Sequence, residues 1–258
     1  MGMRKTKNPS TQTRVLEETH RPAAIRRRLA EQRRHSYLGD AVLGGIDGCV
    51  TTFAVVAGAV GGGFTSLVVV VLGFANLLAD GFSMAVSNYQ GTKSQRELVE
   101  EARREEERHI AHIPEGEREE IRQIFAGKGF EGDMLASIVD QITQDRRLWV
   151  DTMLTEELGL QLDGPHPLRA GLATFGAFLF VGFFPLFPFL LPGLTLETTF
   201  LLSSVGAATA FFGVGVGKGL VLGRSALKAG LETLITGGAA AALAYVVGAW
   251  LRHMFGAG

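Results

Sequence analysis

The stretch A-G-L-A-T-F-G-A-F-L-F-V-G-F-F-P-L-F-P-F-L-L, residues 170–191, runs for 22 residues without a charge. About 20 apolar residues wound as a helix cross the roughly 30 Å of hydrocarbon in a bilayer. Working outward, the same test picks out 198–217 and 233–251, both free of charge, and 64–90, where Asp80 is the one charge in 27 residues. A fifth stretch, 41–63, is as apolar but carries Asp47. The reading is a multi-pass, all-α integral membrane protein with five transmembrane helices.

Charge is distributed to match. The 258 residues are 47% hydrophobic, and 25 Lys+Arg against 26 Asp+Glu leave a net charge of −1. Residues 1–37 nevertheless carry 10 basic and 3 acidic side chains, and residues 93–169 carry 11 basic and 18 acidic ones. A basic head, an acidic middle and an almost uncharged bulk exclude a disordered polymer and argue against a simple soluble globule. The basic head alone would suit nucleic acid, but the apolar bulk points to a bilayer, and no nucleic-acid partner is expected. One cysteine, Cys49, excludes a disulfide framework or a Cys-rich zinc site. No G-x-S-x-G, Walker loop or C-x-x-C occurs, so a hydrolase or an ATP-driven pump finds no support, and no enzyme activity or prosthetic group is expected.

Loop charges set the expected orientation. Arg26, Arg27, Arg28, Arg33 and Arg34 hold the N-terminal segment in the cytoplasm, and Lys218, Arg224 and Lys228 do the same for the loop before the last span. The hairpin at 61–63 and the loop 191–197 lack Lys and Arg and suit the outside, where the C-terminus also falls. Arg252 and His253 are a small excess on that side. Residues 17–37 read either as an amphipathic helix on anionic headgroups or as a solvated basic arm. The first 36 residues contain no apolar core of a signal peptide, which leans toward a bacterial inner membrane, while a vacuolar membrane stays open as the alternative in a eukaryote.

The expected boundaries are 1–37 for the basic segment, 38–90 for spans one and two, 91–167 for an acidic helical domain, and 168–258 for spans three to five. Within 91–167, span two continues as a helix to about His112, and Pro114 stops it and opens a second helix. Gly127, Lys128 and Gly129 end that one. A third helix is expected from Gly132 to Leu158, with Leu135, Ile138, Ile142, Leu148, Trp149 and Met153 as core positions. Three helices of this size are marginal alone, and dimerisation or bound metal would support them.

Several side chains could carry chemistry. Asp47 lies some 9 Å along its span, at a depth where a charge costs about 2.5–3.5 kcal/mol. It lines a polar path or bonds to a neighbouring helix, and Asp40 would sit at the mouth of the same path. Gly44 and Gly48 beside it allow another backbone to come close. Cys49 reads as packing. Met84, Asp80 and Asn76 recur every four residues on one face; a thioether suits brief capture of a soft-tolerant ion, although a methionine there can equally be packing. In the acidic domain Glu106 and His109, Glu117 and Glu120, and Met153 and Glu157 pair at i,i+3 or i,i+4. Oxygen, nitrogen and sulfur together suit Fe²⁺, Mn²⁺ or Zn²⁺. Arg103, Arg104, Arg108, Arg118 and Arg122 could instead absorb those carboxylates as solvated ion pairs. A second Glu-x-x-His is missing from the acidic domain and the apolar spans, which argues against a di-iron oxidase.

The segments L-G-G-I-D-G-C-V-T-T-F-A-V-V-A-G (43–58), D-G-F-S-M-A-V-S-N-Y-Q-G-T-K-S (80–94), I-P-E-G-E-R-E-E-I (113–121) and W-V-D-T-M-L-T-E-E-L-G-L (149–160) resemble the vacuolar iron transporter family. The likeness runs from about residue 37 to the C-terminus. It implies five transmembrane helices, with a cytoplasmic three-helix metal-binding domain inserted between helices two and three. It also implies a homodimer with a path between paired first helices, and Fe²⁺ export from the cytosol in exchange for protons. By that resemblance Asp47 and Met84 are ligands of the path with Asp40 near its mouth, and Glu106, Glu117, Glu120, Met153 and Glu157 are ligands of the domain. The family usually carries a second Glu where this chain has His109, which keeps a metal ligand but removes a charge and adds sensitivity near neutral pH. The competing function is a membrane-anchored metal buffer or sensor without flux, and a channel would differ by ignoring a pH gradient.

Overall fold

A computed structural model describes residues 16–32 and 36–256, and every described regular element is helical. The first unit, up to Ser36, holds α1 (Pro22–Gln32), which starts on Pro22, a residue whose missing N–H costs nothing in a first turn. Arg26, Arg27 and Arg28 lie on it, whereas Arg33 and Arg34 of the basic segment lie outside the described residues.

The second unit begins at Tyr37. Its helices α2 (Leu38–Gly61), α3 (Ser66–His112), α8 (Leu196–Val221) and α9 (Ala226–Phe255) are long and apolar enough to cross a membrane. A further apolar helix, α7 (Pro167–Gly182), is shorter, with 16 residues and a length of about 24 Å. The charge-free run 170–191 therefore does not make one continuous helix. Pro185 and Pro188 cannot donate to the preceding turn, so the chain leaves the α-helix at Phe183 and closes with a 3₁₀ turn, Phe187–Leu190. The Pro185 carbonyl freed at the break accepts a hydrogen bond from Ser203 Oγ of α8 at 2.6 Å. Irregular backbone among apolar helices needs such an internal partner.

α2 is the hub, packing against α3, α7, α8 and α9, while α3 packs on α7 and α8 on α9. Small residues make the α2–α7 contact possible. A Cβ on Gly48 would lie 2.4 Å from the Phe178 carbonyl oxygen, and one on Gly44 2.2 Å from that of Thr174. The core around this crossing contains Cys49, Val56, Leu77, Phe178, Leu186 and Phe211, so Cys49 is a packing residue, as read. The outer faces of α8 and α9 are also apolar, with Leu201, Val205, Ile235 and Leu243 exposed. Helices apolar on every side belong in lipid.

α3 has 47 residues and is about 70 Å long, more than twice the hydrocarbon thickness. Its polar half continues without a break to His112, as expected, and joins α4 (Pro114–Gly127), α5 (Gly132–Gln144), α6 (Arg146–Thr152) and a π-helical turn, Met153–Glu157. The expected single helix 132–158 is thus in pieces. Asp145 leaves helical geometry and its carboxylate accepts from the N–H groups of Arg147 (2.9 Å) and Leu148 (3.2 Å), starting a new helix. A second apolar core forms from Ile110, Ile121, Val139, Ile142, Trp149, Val150, Met153 and Leu154, with Leu135 and Ile138 packed against it. Leu148, expected inside, is 46% exposed because the restart at Asp145 turns it outward.

Candidate metal-handling sites

The first site forms where α3 ends and α4 begins. Glu106 and His109 lie one turn apart on α3, and Pro114 folds the chain back so that Glu117, near the start of α4, meets them. One ligand atom from each of the three falls within 4.8 Å of the others, and His109 Nδ1 lies 3.5 Å from Glu117 Oε1. The Glu106 and Glu117 residues are 4% and 1% exposed. Oε2 of each is buried with no partner among the described residues. A buried carboxylate oxygen without a donor is costly, and a cation is its natural complement.

The basic residues of this layer are engaged elsewhere. Arg103 pairs with Asp151 at 2.5 Å, Arg118 with Asp140 at 2.5 Å, Arg104 with Glu101, Arg122 with Glu119, and Lys128 with Glu156. Ion pairs therefore take up Glu101, Glu119, Asp140, Asp151 and Glu156, but among the described residues no Lys or Arg pairs with Glu106 or Glu117.

Crowded negative charge shows in the proton affinities. Burial, then the nearby Glu120, Glu106 and Glu157 charges, push the Glu117 carboxyl up to about 7. Burial also raises Glu106, partly offset by His109, and desolvation followed by the charges of Glu120 and Glu106 raises Glu157. Glu120 and Glu157 are thus electrostatic members of the site on exposed residues, while the compact trio is Glu106, His109 and Glu117. Met153 is fully buried among Ile110, Ile121, Trp149 and Leu154, in the apolar core. The π-helical turn that begins at Met153 ends at Glu157, so one local widening carries both.

The second group lies on α2 and α3. Asp47 is half-buried, and Asp80 is close enough for their charges to interact. Met84, four residues on from Asp80, packs against the membrane core. Asn76 Nδ2 is buried without a partner among the described residues. At the end of α2 nearer the acidic helices, Asn88 Nδ2 donates to Asp40 Oδ1 at 2.9 Å and to Thr174 Oγ1 at 2.7 Å. The sequence reading missed Asn88 and Thr174. A signal for Asn88 was present, since 76, 80, 84 and 88 continue one i,i+4 stripe; nothing local marks Thr174.

Comparison with known proteins places these features in a wider set. A family model described as the VIT family matches residues 38–249. A vacuolar iron transporter of Toxoplasma gondii is 35% identical over 230 residues, covering 86% of this chain and 76% of the relative. Vacuolar iron transporter 1 of Arabidopsis thaliana is 30% identical over 217 residues, covering 83% and 86%. A vacuolar iron transporter of Plasmodium falciparum is 28% identical over 221 residues, covering 82% and 81%.

Proposed function

For a chain that belongs to the VIT family of membrane proteins, we propose proton-coupled transport of Fe²⁺ out of the cytosol, by metal/H⁺ antiport. The observation that carries the reading is the pair of buried carboxylates, Glu106 and Glu117, with orphaned oxygens and an imidazole within 4.8 Å. Two carboxylates and a nitrogen favour a divalent transition metal over Ca²⁺ or Mg²⁺. The relatives' names select iron, with Mn²⁺ and Zn²⁺ as competitors to be tested.

In this reading the polar half of α3 with α4–α6 faces the cytosol and gathers metal through Glu106, His109, Glu117, Glu120, Met153 and Glu157. Its excess of acidic residues, 18 against 11 basic over 93–169, raises the local cation concentration. The ion then passes to Asp40 and on to Asp47 and Met84 between the first helices of a homodimer. α7 with its 3₁₀ extension completes a fifth crossing. Carboxylates that release a metal can take a proton, and this competition couples the two flows. A Glu117 carboxyl near 7 is poised for that exchange at neutral pH.

The test is flux into liposomes holding a fluorescent metal reporter, with and without an opposing pH gradient. Gradient-dependent Fe²⁺ uptake, lost in Asp47→Ala while the variant remains folded, is the expected result. Near-normal flux in Asp47→Ala would refute the path. Tight binding without flux would leave a membrane-anchored buffer.

A further inference from the structure

Asn88 stands at a junction. It lines a cavity of about 850 Å³ between α3 and the 159–165 connection, together with Ser87, Thr92, Gln95, Arg96 and Gln161. The same side chain reaches across to Asp40 on α2 and Thr174 on α7, tying three helices where the polar half of α3 leaves the apolar half. Thr174 is fully buried; its hydroxyl lies 3.1 Å from the Ala170 carbonyl and 3.4 Å from that of Asp40, which supply acceptors for its own hydrogen. The Thr174 oxygen is therefore left to accept from Asn88.

This fixes the orientation of the amide. Its two N–H hydrogens meet two acceptors, a carboxylate and a hydroxyl whose hydrogen is used elsewhere. Turning the amide over would set its carbonyl oxygen against the Asp40 carboxylate, acceptor to acceptor. A hydrogen bond to an ionised group is among the stronger ones available, and here it sets the direction of the carboxylate from a helix 48 residues away.

We infer that Asn88 is a positioning residue for ion uptake: it joins the polar cavity to the path and holds the Asp40 carboxylate in the orientation that receives the ion. This rests on the transport reading above. Asn88 acts through Asp40, so its removal weakens capture and leaves later steps intact.

The experiment is initial-rate Fe²⁺ uptake by liposomes holding the full chain, as wild type, Asn88→Ala, Asp40→Asn and the double variant. Asn88→Ala is expected to raise KM about tenfold while the maximal rate stays within about twofold, the signature of lost ground-state positioning. In the Asp40→Asn background the same substitution should change KM by less than about twofold, because the group it orients has gone. Asn88→Leu fills the same space without a donor and should reproduce the KM rise, which keeps the test open where Asn88→Ala fails to fold. An unchanged KM in a folded Asn88 variant, or an equal effect with and without the Asp40 carboxylate, overturns the inference alone. Absence of flux in the wild type overturns it together with the transport reading.

Discussion

Removing metal should make this protein's acidic helical layer less stable as pH rises, and Glu117→Gln should abolish most of that loss. The Glu117 side chain is 2% exposed, so solvent does little to screen its neighbours. Its carboxyl rises from 4.5 to about 7, first through burial and then through Glu120, Glu106 and Glu157. An acid whose folded value is raised contributes stability that is fully present below about 4.5 and is lost as pH climbs through about 7. At about 1.4 kcal/mol per pH unit, the shift is worth roughly 3 kcal/mol between pH 4.5 and pH 8. For a cooperative unit of this size that is on the order of 10 °C or more in Tm. Trp149, buried in the core of this layer, reports its unfolding once the exposed Trp250 on α9 is replaced by Phe. Fluorescence-detected melts of the detergent-solubilised, chelator-treated protein at pH 5 and pH 8 should show the drop. Fe²⁺ at about 100 times its Kd should return about 2.7 kcal/mol at pH 8. A Glu117→Gln protein with the wild-type pH dependence, or a metal-free wild type more stable at pH 8 than at pH 5, would refute the reasoning.

His109→Glu adds a third carboxylate to the trio, and should tighten divalent-metal binding at pH 8 and flatten its pH dependence near neutrality; an unchanged affinity and pH profile, measured by titration calorimetry, would remove His109 from the site. Gly48→Ala drives a Cβ to 2.4 Å from the Phe178 carbonyl oxygen, a backbone atom that cannot swing aside. It should cost about 1–3 kcal/mol or more, read as a lower melting temperature in detergent. Asp145→Ala removes the cap that restarts the helix after the break and should cost about 1 kcal/mol in the Trp149 melt, without altering metal affinity.

Much of the site was legible because part of it is built from helical neighbours. Glu106 with His109, and Asp80 with Met84, follow from i,i+3 and i,i+4 spacing on a helix that no proline interrupts between Ser66 and His112. That Glu117 rather than Glu120 completes the compact trio was not legible. Both lie on α4, and the choice depends on how the Pro114 turn rolls that helix against α3. Met153 shows the same limit from the other side: its spacing to Glu157 was legible, but that Met153 is fully buried and that one π-helical turn carries both residues was not.

The amino-acid sequence by itself determined the membrane class, the positions of the apolar stretches and the acidic helical layer between the second and third of them. Hydrophobic length, helical period and proline are properties of a few consecutive residues, and no folding of the rest can change them. Tertiary structure alone decided which carboxylates lose their water and which keep it, where the third apolar stretch bends so that Ser203 caps the Pro185 carbonyl, and that Asn88 grips Asp40 across 48 residues. Desolvation and hydrogen bonding between helices depend on what another part of the chain covers, and that is fixed only when the helices pack.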